Sequence, residues 1–227
     1  MMTIALLACS FLAGAQKVVG LKGGINISNL ANTFEAGVDE SNNLQSFHAG
    51  ITANFPALLF SFQPSLLVTG KGSQVTYGDP YSGGDYFVTT TNPIYLEVPA
   101  TFNLNLHFGG KTGVYAGAGP YFAMGFAGRQ STHGRNNGTD FSHSEKIDYS
   151  DDDPTTPAEE GAAYGRLKRF DYGLTVNAGA ILAGLMVSAF YDFGFPQINS
   201  MSNAGQNDNL KNRTLGFSVG FMFGGND

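Results

Sequence analysis

Charged side chains are scarce in this sequence. Asp, Glu, Lys and Arg make up 13% of the 227 residues, against roughly 25% in an ordinary soluble domain. Tryptophan is absent, and Cys9 is the single cysteine, which excludes a disulfide framework. The formal net charge of −6 excludes the basic footprint of a nucleic-acid-binding protein. We therefore expect no nucleic-acid partner.

Long apolar runs are missing as well. A helix needs about 20 apolar residues to cross a bilayer, and only a short run, TIALLACSFLAGA, stands at the N-terminus. Ala13-Gly14-Ala15 then forms the small-x-small pattern of a secretory cleavage site, which predicts a signal peptide over residues 1–15 and one domain over 16–227.

Two alternatives to this signal peptide stay open. A lipoprotein signal ending at Cys9 would be unusually short, and the run could instead begin a buried strand or helix. No Lys or Arg precedes Ala15, so the basic start of a signal is lacking and a start codon upstream is a further expectation.

Glycine and aromatic residues are abundant instead, with 31 Gly, 19 Phe and 10 Tyr. Many of them lie in segments of strict alternation, of which IYLEVPATFNLNL at 94–106 is the clearest. Its even-numbered residues are apolar, and Glu97 and Pro99 fall in the other set. A period of two indicates a β-strand with one apolar face.

Eight segments alternate in this way, each near the ~9–11 residues that a tilted strand needs to cross a bilayer. They are residues 18–30, 46–55, 59–70, 94–106, 112–126, 169–181, 185–193 and 214–223. Short spacers alternate with long ones, and the long ones are 31–45, 71–91, 127–168 and 194–213. This alternation is typical of an outer-membrane barrel with short periplasmic turns and long extracellular loops.

The faces opposite the apolar rows favour a membrane barrel over a soluble one. They carry mainly Gly, Ser, Thr, Asn and Tyr, whereas a face exposed to water would carry Lys and Glu throughout. The sequence therefore predicts an all-β fold, an eight-stranded antiparallel up-and-down transmembrane β-barrel. Its apolar side chains would meet lipid, and small polar side chains would fill its lumen.

A few charged residues fall on the inward faces. A lone buried carboxylate is costly, so Glu97 should be paired, and the inward cations are Lys22 and Arg169. The network could line a polar path for ions, or form an internal salt-bridge plug that fixes strand register; we favour the plug. The predicted lumen network comprises Lys22, His48, Glu97, Arg169, Asp171 and Asp192.

The longest spacer carries an acidic run that could gather oxygen ligands for Ca²⁺. Its candidate residues are Asp148, Asp151, Asp152 and Asp153. Their spacing lacks the ordered pattern of a cation loop, so a flexible acidic surface is the favoured alternative. No Ser/His/acid set is assembled by the pattern, and we expect neither an enzyme nor a cofactor or resident metal.

Four segments carry a family resemblance: GLKGGINISNL at 20–30, YLEVPATFNLN at 95–105, RFDYGLTVNAGA at 169–180 and the ending LGFSVGFMFG. They resemble the PorT-like outer-membrane β-barrel family of Bacteroidota-type bacteria. The resemblance implies an eight-stranded barrel in the outer membrane. It does not imply one activity, because only some members of the family are tied to protein secretion.

The expected role is that of an outer-membrane scaffold that binds through its extracellular loops. A transport or secretion-assisting barrel, PorT-like or a narrow porin, is the alternative, and a lipid-modifying enzyme ranks third. The expected partners are outer-membrane lipid and lipopolysaccharide, and an extracellular or secretion-machinery protein. The expected location is the bacterial outer membrane.

Overall fold

Twelve β-strands form in the computed structural model, which describes residues 18–31, 43–81, 83–109, 112–149, 166–198 and 211–223. The strands are β1 Val18–Ala31, β2 Leu44–Ala57, β3 Phe60–Gly70, β4 Ser73–Tyr77, β5 Tyr86–Gly109, β6 Thr112–Asn136, β7 Thr139–Lys146, β8 Asp148–Tyr149, β9 Arg166–Leu167, β10 Phe170–Leu182, β11 Leu185–Gly194 and β12 Lys211–Phe223. Within these ranges, no helix has the length and apolarity to cross a membrane. The predicted signal peptide lies outside the described residues.

Eight of the strands pair into a closed antiparallel ring. The order is β1-β2-β3-β5-β6-β10-β11-β12, and β12 pairs back onto β1. Each ring strand therefore has two hydrogen-bonded neighbours, so the ring has no open edge. These strands correspond one to one to the eight alternating segments, which confirms the predicted strand number and the antiparallel pairing.

The ring carries its apolar side chains on the outside. Along β5, Phe102 and Leu104 are 64% and 46% exposed, whereas Glu97 and Asn103 are each 1% exposed. The other ring strands follow the same alternation. Polar side chains therefore fill the interior, as predicted, and the apolar rows face outward. This is the reverse of a soluble protein.

Two ring strands extend well beyond the ring. β5 and β6 continue past it and, with β4 and β7 at their sides, build a four-stranded sheet that we call the extension. The sequence pattern predicts loops over all of 71–91 and 127–168, and this prediction is wrong for these strands. The extension has polar residues on both faces, so it lacks the apolar period that reveals a strand.

A tight turn connects the last two strands of the extension. Asn137 and Gly138, between β6 and β7, both have positive φ, 48° and 77°. This is the geometry of a type I′ hairpin, for which Asn-Gly is the preferred pair. The dipeptide is the signal in the sequence that could have revealed β7.

The register stays unchanged across Pro99, although a proline inside a sheet often lies at a bulge. Pro99 lies opposite Tyr121, and the pairing continues in the same register to Phe102. Register shifts lie instead at two other places, between His107 and Gly109 beside the hairpin turn, and between Ile94 and Tyr95, where Phe126 of β6 is the extra residue. Bulges are common at the rims of closed sheets, and the second of these marks the start of the extension.

Candidate functional site in the lumen

One lysine lies among three carboxylates inside the ring. Lys71 follows the last residue of β3, and its Nζ lies 2.5 Å from Glu97 Oε2, 3.1 Å from Asp192 Oδ2 and 3.8 Å from Asp171 Oδ2. The same Nζ lies 4.1 Å from the centroid of the Tyr121 ring. All five residues are 2% exposed or less. Because buried charges are stable only when paired, we treat them as one unit, the Lys71 cluster.

The backbone after β3 turns Lys71 into the lumen. The Lys71 amide donates to Pro93 O at 3.1 Å, and Gly72 adopts a φ of 156°. A Cβ at Gly72 would lie 2.0 Å from Thr91 O, a backbone atom that cannot move aside. Only glycine therefore allows the turn that carries Lys71 to the acids.

Neutral side chains hold the carboxylates of the cluster in place. Asp171 Oδ2 accepts hydrogen bonds from Tyr121 Oη at 3.0 Å and from Asn212 Nδ2 at 2.9 Å. Asp192 Oδ1 accepts one from Thr175 Oγ1 at 2.7 Å. The acids come from β5, β10 and β11, so the cluster links β5 to two strands that are not its neighbours in the ring. This arrangement can fix the relative register of those strands.

One of the predicted network residues lies outside the lumen, and another lacks the predicted ion pair. Arg169 is exposed, precedes β10, and donates from Nη2 to Tyr149 O at 3.4 Å; its prediction as a lumen residue was wrong, because β10 begins one residue later. Lys22 does lie on the inward face, with Nζ 5.9 Å from the centroid of the Phe190 ring. The ion pairs of Glu97, however, run to Lys71 and not to Lys22.

The alternating pattern does not reveal Lys71, because this residue is the first of a predicted long loop. The signal in the sequence was the excess of inward carboxylates over inward cations, which indicates that a further cation must enter the lumen to pair with them. Lys22 instead lines a small cavity of about 20 Å³ together with Glu97 and Asp192. That volume holds about one water molecule, which is far too small for a solute.

His48 forms a hydrogen-bonded chain elsewhere in the lumen. Asn26 Nδ2 donates to Phe47 O at 3.2 Å and Gly70 O at 2.9 Å, so Asn26 Oδ1 must be the atom that faces His48 Nδ1 at 2.8 Å. Nδ1 then carries the ring proton, and Nε2 accepts from Ser218 Oγ at 2.7 Å.

Ser218, His48 and Asn26 thus stand in the order of a nucleophile, a base and an orienting group. Ser218 is only 1% exposed, and His48 packs edge-on against Phe190 with ring centroids 5.1 Å apart. No substrate can reach the Ser218 hydroxyl in this arrangement. The chain satisfies buried polar groups between β1, β2 and β12.

Aromatic side chains cover the Lys71 cluster at the end of the ring that bears the extension. Tyr149 of β8 donates from Oη to Ala127 O at 2.7 Å, and its ring lies edge-on to Tyr95, with centroids 6.3 Å apart. The Tyr149 ring lies over Gly125, where a Cβ would come within 2.2 Å of it. Tyr95 beneath is completely buried.

The predicted cation loop is described only in part. Asp148 is exposed at the start of β8, directly beside Arg166 of the parallel strand β9. Asp151, Asp152 and Asp153 lie outside the described residues. In the ranges that are described, no three His, Cys, Asp or Glu side chains are arranged to hold a metal ion.

Several solved structures are similar to this chain. The attachment invasion locus protein Ail of Yersinia pestis is 13% identical, with a TM-score of 0.41, over 92% of this chain and 99% of Ail. Ail in complex with the heparin analogue sucrose octasulfate gives a TM-score of 0.40 at the same identity and coverage. Neisserial surface protein A is 12% identical, with a TM-score of 0.41, over 91% of this chain and 97% of the other.

No curated protein matches the sequence. Residues 15–200 match the family model described as the outer membrane protein beta-barrel domain. The match spans most of the chain and agrees with the closed, outwardly apolar ring. The protein is therefore located in the bacterial outer membrane and belongs to the outer membrane protein beta-barrel domain family.

Proposed function

We propose that the ring is a transmembrane up-and-down barrel that serves as a structural and binding scaffold, with the extension as its binding element. The observation that carries this proposal is the filled lumen. An eight-stranded barrel is just wide enough for side chains to fill it. The buried Lys71 cluster occupies the interior, and Tyr149 and Tyr95 cover it. A function based on free diffusion through the lumen is therefore disfavoured.

The extension provides the surface that such a scaffold needs. All eight residues of β7 are exposed, and in the described part of the chain β7 is the last strand of its sheet. We place the extension on the extracellular side and the short turns, such as Ala183-Gly184, in the periplasm, following the usual asymmetry of these barrels. An extracellular or secretion-machinery protein is the proposed partner.

Transport or assistance in secretion is the second candidate function, and assignment to the PorT-like branch of the family belongs with it. The feature that favours transport is the polar cavity beside Lys22, Glu97 and Asp192. If this cavity widened, its charged side chains would line a polar path through the lumen. A lipid-modifying enzyme is the third candidate. We propose that the protein is not an enzyme, because the hydroxyl of Ser218 is buried.

Single-channel recording in a planar lipid bilayer tests the filled lumen. The purified, folded protein is expected to give no steady conductance, because the buried side chains of the Lys71 cluster fill the lumen between the described strands. Insertion is verified in the same preparation by the shift in gel mobility between heated and unheated samples. A steady open state in the inserted wild-type protein would contradict the scaffold proposal and favour transport.

A further inference from the structure

Two basic side chains stand directly opposite each other on the extension. Arg129 of β6 and Lys146 of β7 are cross-strand partners, and both are exposed. Partners of this kind share a face, with Cβ atoms about 4.5–5.5 Å apart, and like charges in such pairs are destabilising. Arg129 Nη1 donates to Ser144 Oγ at 3.3 Å. The pair therefore has a cost that its contacts within the protein do not explain.

The acidic residues nearby are engaged elsewhere. Asp140 accepts from Arg135 Nε and Nη2, at 2.7 and 3.3 Å, and these hydrogen bonds lower the pKa of the Asp140 carboxyl below its usual value. Glu145 lies on the opposite face of β7 and contacts His143 at 3.7 Å. Along the described parts of β6 and β7, no carboxylate pairs with Arg129 or Lys146. Within these two described strands, the positive charge of the pair is thus left uncompensated.

Strand pairing places the two cations just beyond the outward apolar band. Successive outward pairs between β5 and β6 are Leu96 with Met124, Ile94 with Ala127, and Asn92 with Arg129. From Leu96 to Asn92 the strand rises about 13 Å. The outward side chains thus change from apolar to cationic over the distance in which a bilayer changes from acyl chains to head groups.

Aromatic side chains border the apolar band directly below this pair. Phe126 of β6 and Phe170 of β10 are 54% and 42% exposed, and Phe126 lies at the bulge beside Ile94, where the extension begins. Aromatic girdles of this kind mark the interface in outer-membrane barrels. The surface thus offers apolar rings to acyl chains and, above them, two cations to an anionic head group.

We propose that Arg129 and Lys146 bind one phosphate group of lipid A, the phosphorylated glycolipid of the outer leaflet. The Arg129 guanidinium supplies paired N–H donors, Lys146 a compact positive charge, and Ser144 a hydroxyl beside them. The phosphate takes the place of the missing carboxylate and removes the repulsion between the two cations. The inference rests on the proposed transmembrane placement and adds a specific lipid to it.

Native mass spectrometry of the full-length protein, released from detergent with lipid A added, tests the site. The wild type is expected to retain bisphosphorylated lipid A. The double variant Arg129→Gln/Lys146→Gln is expected to bind lipid A more weakly by a factor of about ten or more, since two charge-assisted contacts are lost. Arg135→Gln is the matched control, because Arg135 lies on the same face but is already paired with Asp140. This variant should retain the lipid.

Two further arms separate a lipid from a free phosphate. Dephosphorylated lipid A should be retained by the wild type no better than by the double variant, and millimolar inorganic phosphate should compete only weakly. Equal retention by the double variant and Arg135→Gln, or full displacement by inorganic phosphate, would overturn the proposal. Loss of the lipid site from a barrel that still conducts no current would leave the scaffold proposal standing.

Discussion

Lys71→Met is expected to lower the free energy of unfolding by about 3–5 kcal/mol, the usual result of removing one partner from a buried ion cluster. The change leaves Glu97, Asp171 and Asp192 without the ammonium group that lies within 3.8 Å of each of them. Methionine nearly preserves the volume, so the loss reports charge and not a cavity. Urea titration of the protein folded into lipid vesicles, followed by gel mobility, measures it.

Two further variants decide whether the cluster is responsible. Lys71→Met combined with Glu97→Gln and Asp192→Asn should recover much of the lost stability, because neutral polar groups need no counter-charge. Lys22→Met is the matched control, since Lys22 also lies on the inward face, while the ion pairs of the carboxylates run to Lys71. Equal losses from Lys71→Met and Lys22→Met would contradict the account of the cluster.

Val98→Arg is expected to reduce the yield of folded barrel sharply. Val98 is 42% exposed on the outward face of β5, and an arginine facing lipid near the bilayer mid-plane costs about 2–4 kcal/mol. The folded fraction after refolding into vesicles is read from the mobility difference between heated and unheated samples.

Thr101→Ser is the control for Val98→Arg. Thr101 lies on the inward face of the same strand and donates from Oγ1 to Gln63 O at 3.3 Å, a hydrogen bond that serine can also make. The variant should fold like the wild type. If both variants gave the same folded yield, the assignment of the two faces of β5 would be wrong.

The ring was predictable because its environment imposes a strict period on the sequence. A strand with lipid on one side and a narrow polar lumen on the other must alternate, and 94–106 does so at every position. The extension has water on both sides, so Thr89, Thr90 and Thr91 follow one another with no apolar face to reveal a strand. Turn chemistry, as at Asn137-Gly138, was the remaining signal.

The lumen site was predictable only where strand parity determines it. Glu97, Asp171 and Asp192 lie in regular strands, so counting residues placed them inside, where the structure has them. Lys71 lies beyond the end of β3, and its position depends on a backbone turn at Gly72 that alternation does not describe. The prediction for Arg169 was wrong for a related reason, since this residue precedes the first regular residue of β10.

The central claim is that the apolar rows of the ring face acyl chains. Nitroxide labels at positions 96, 98, 102 and 104, introduced as single cysteines after Cys9→Ser, test it by their collision rates in lipid vesicles. The account predicts that each label collides frequently with oxygen, which dissolves in acyl chains, and rarely with a water-soluble nickel complex. Frequent collisions with the nickel complex at all four positions would contradict it.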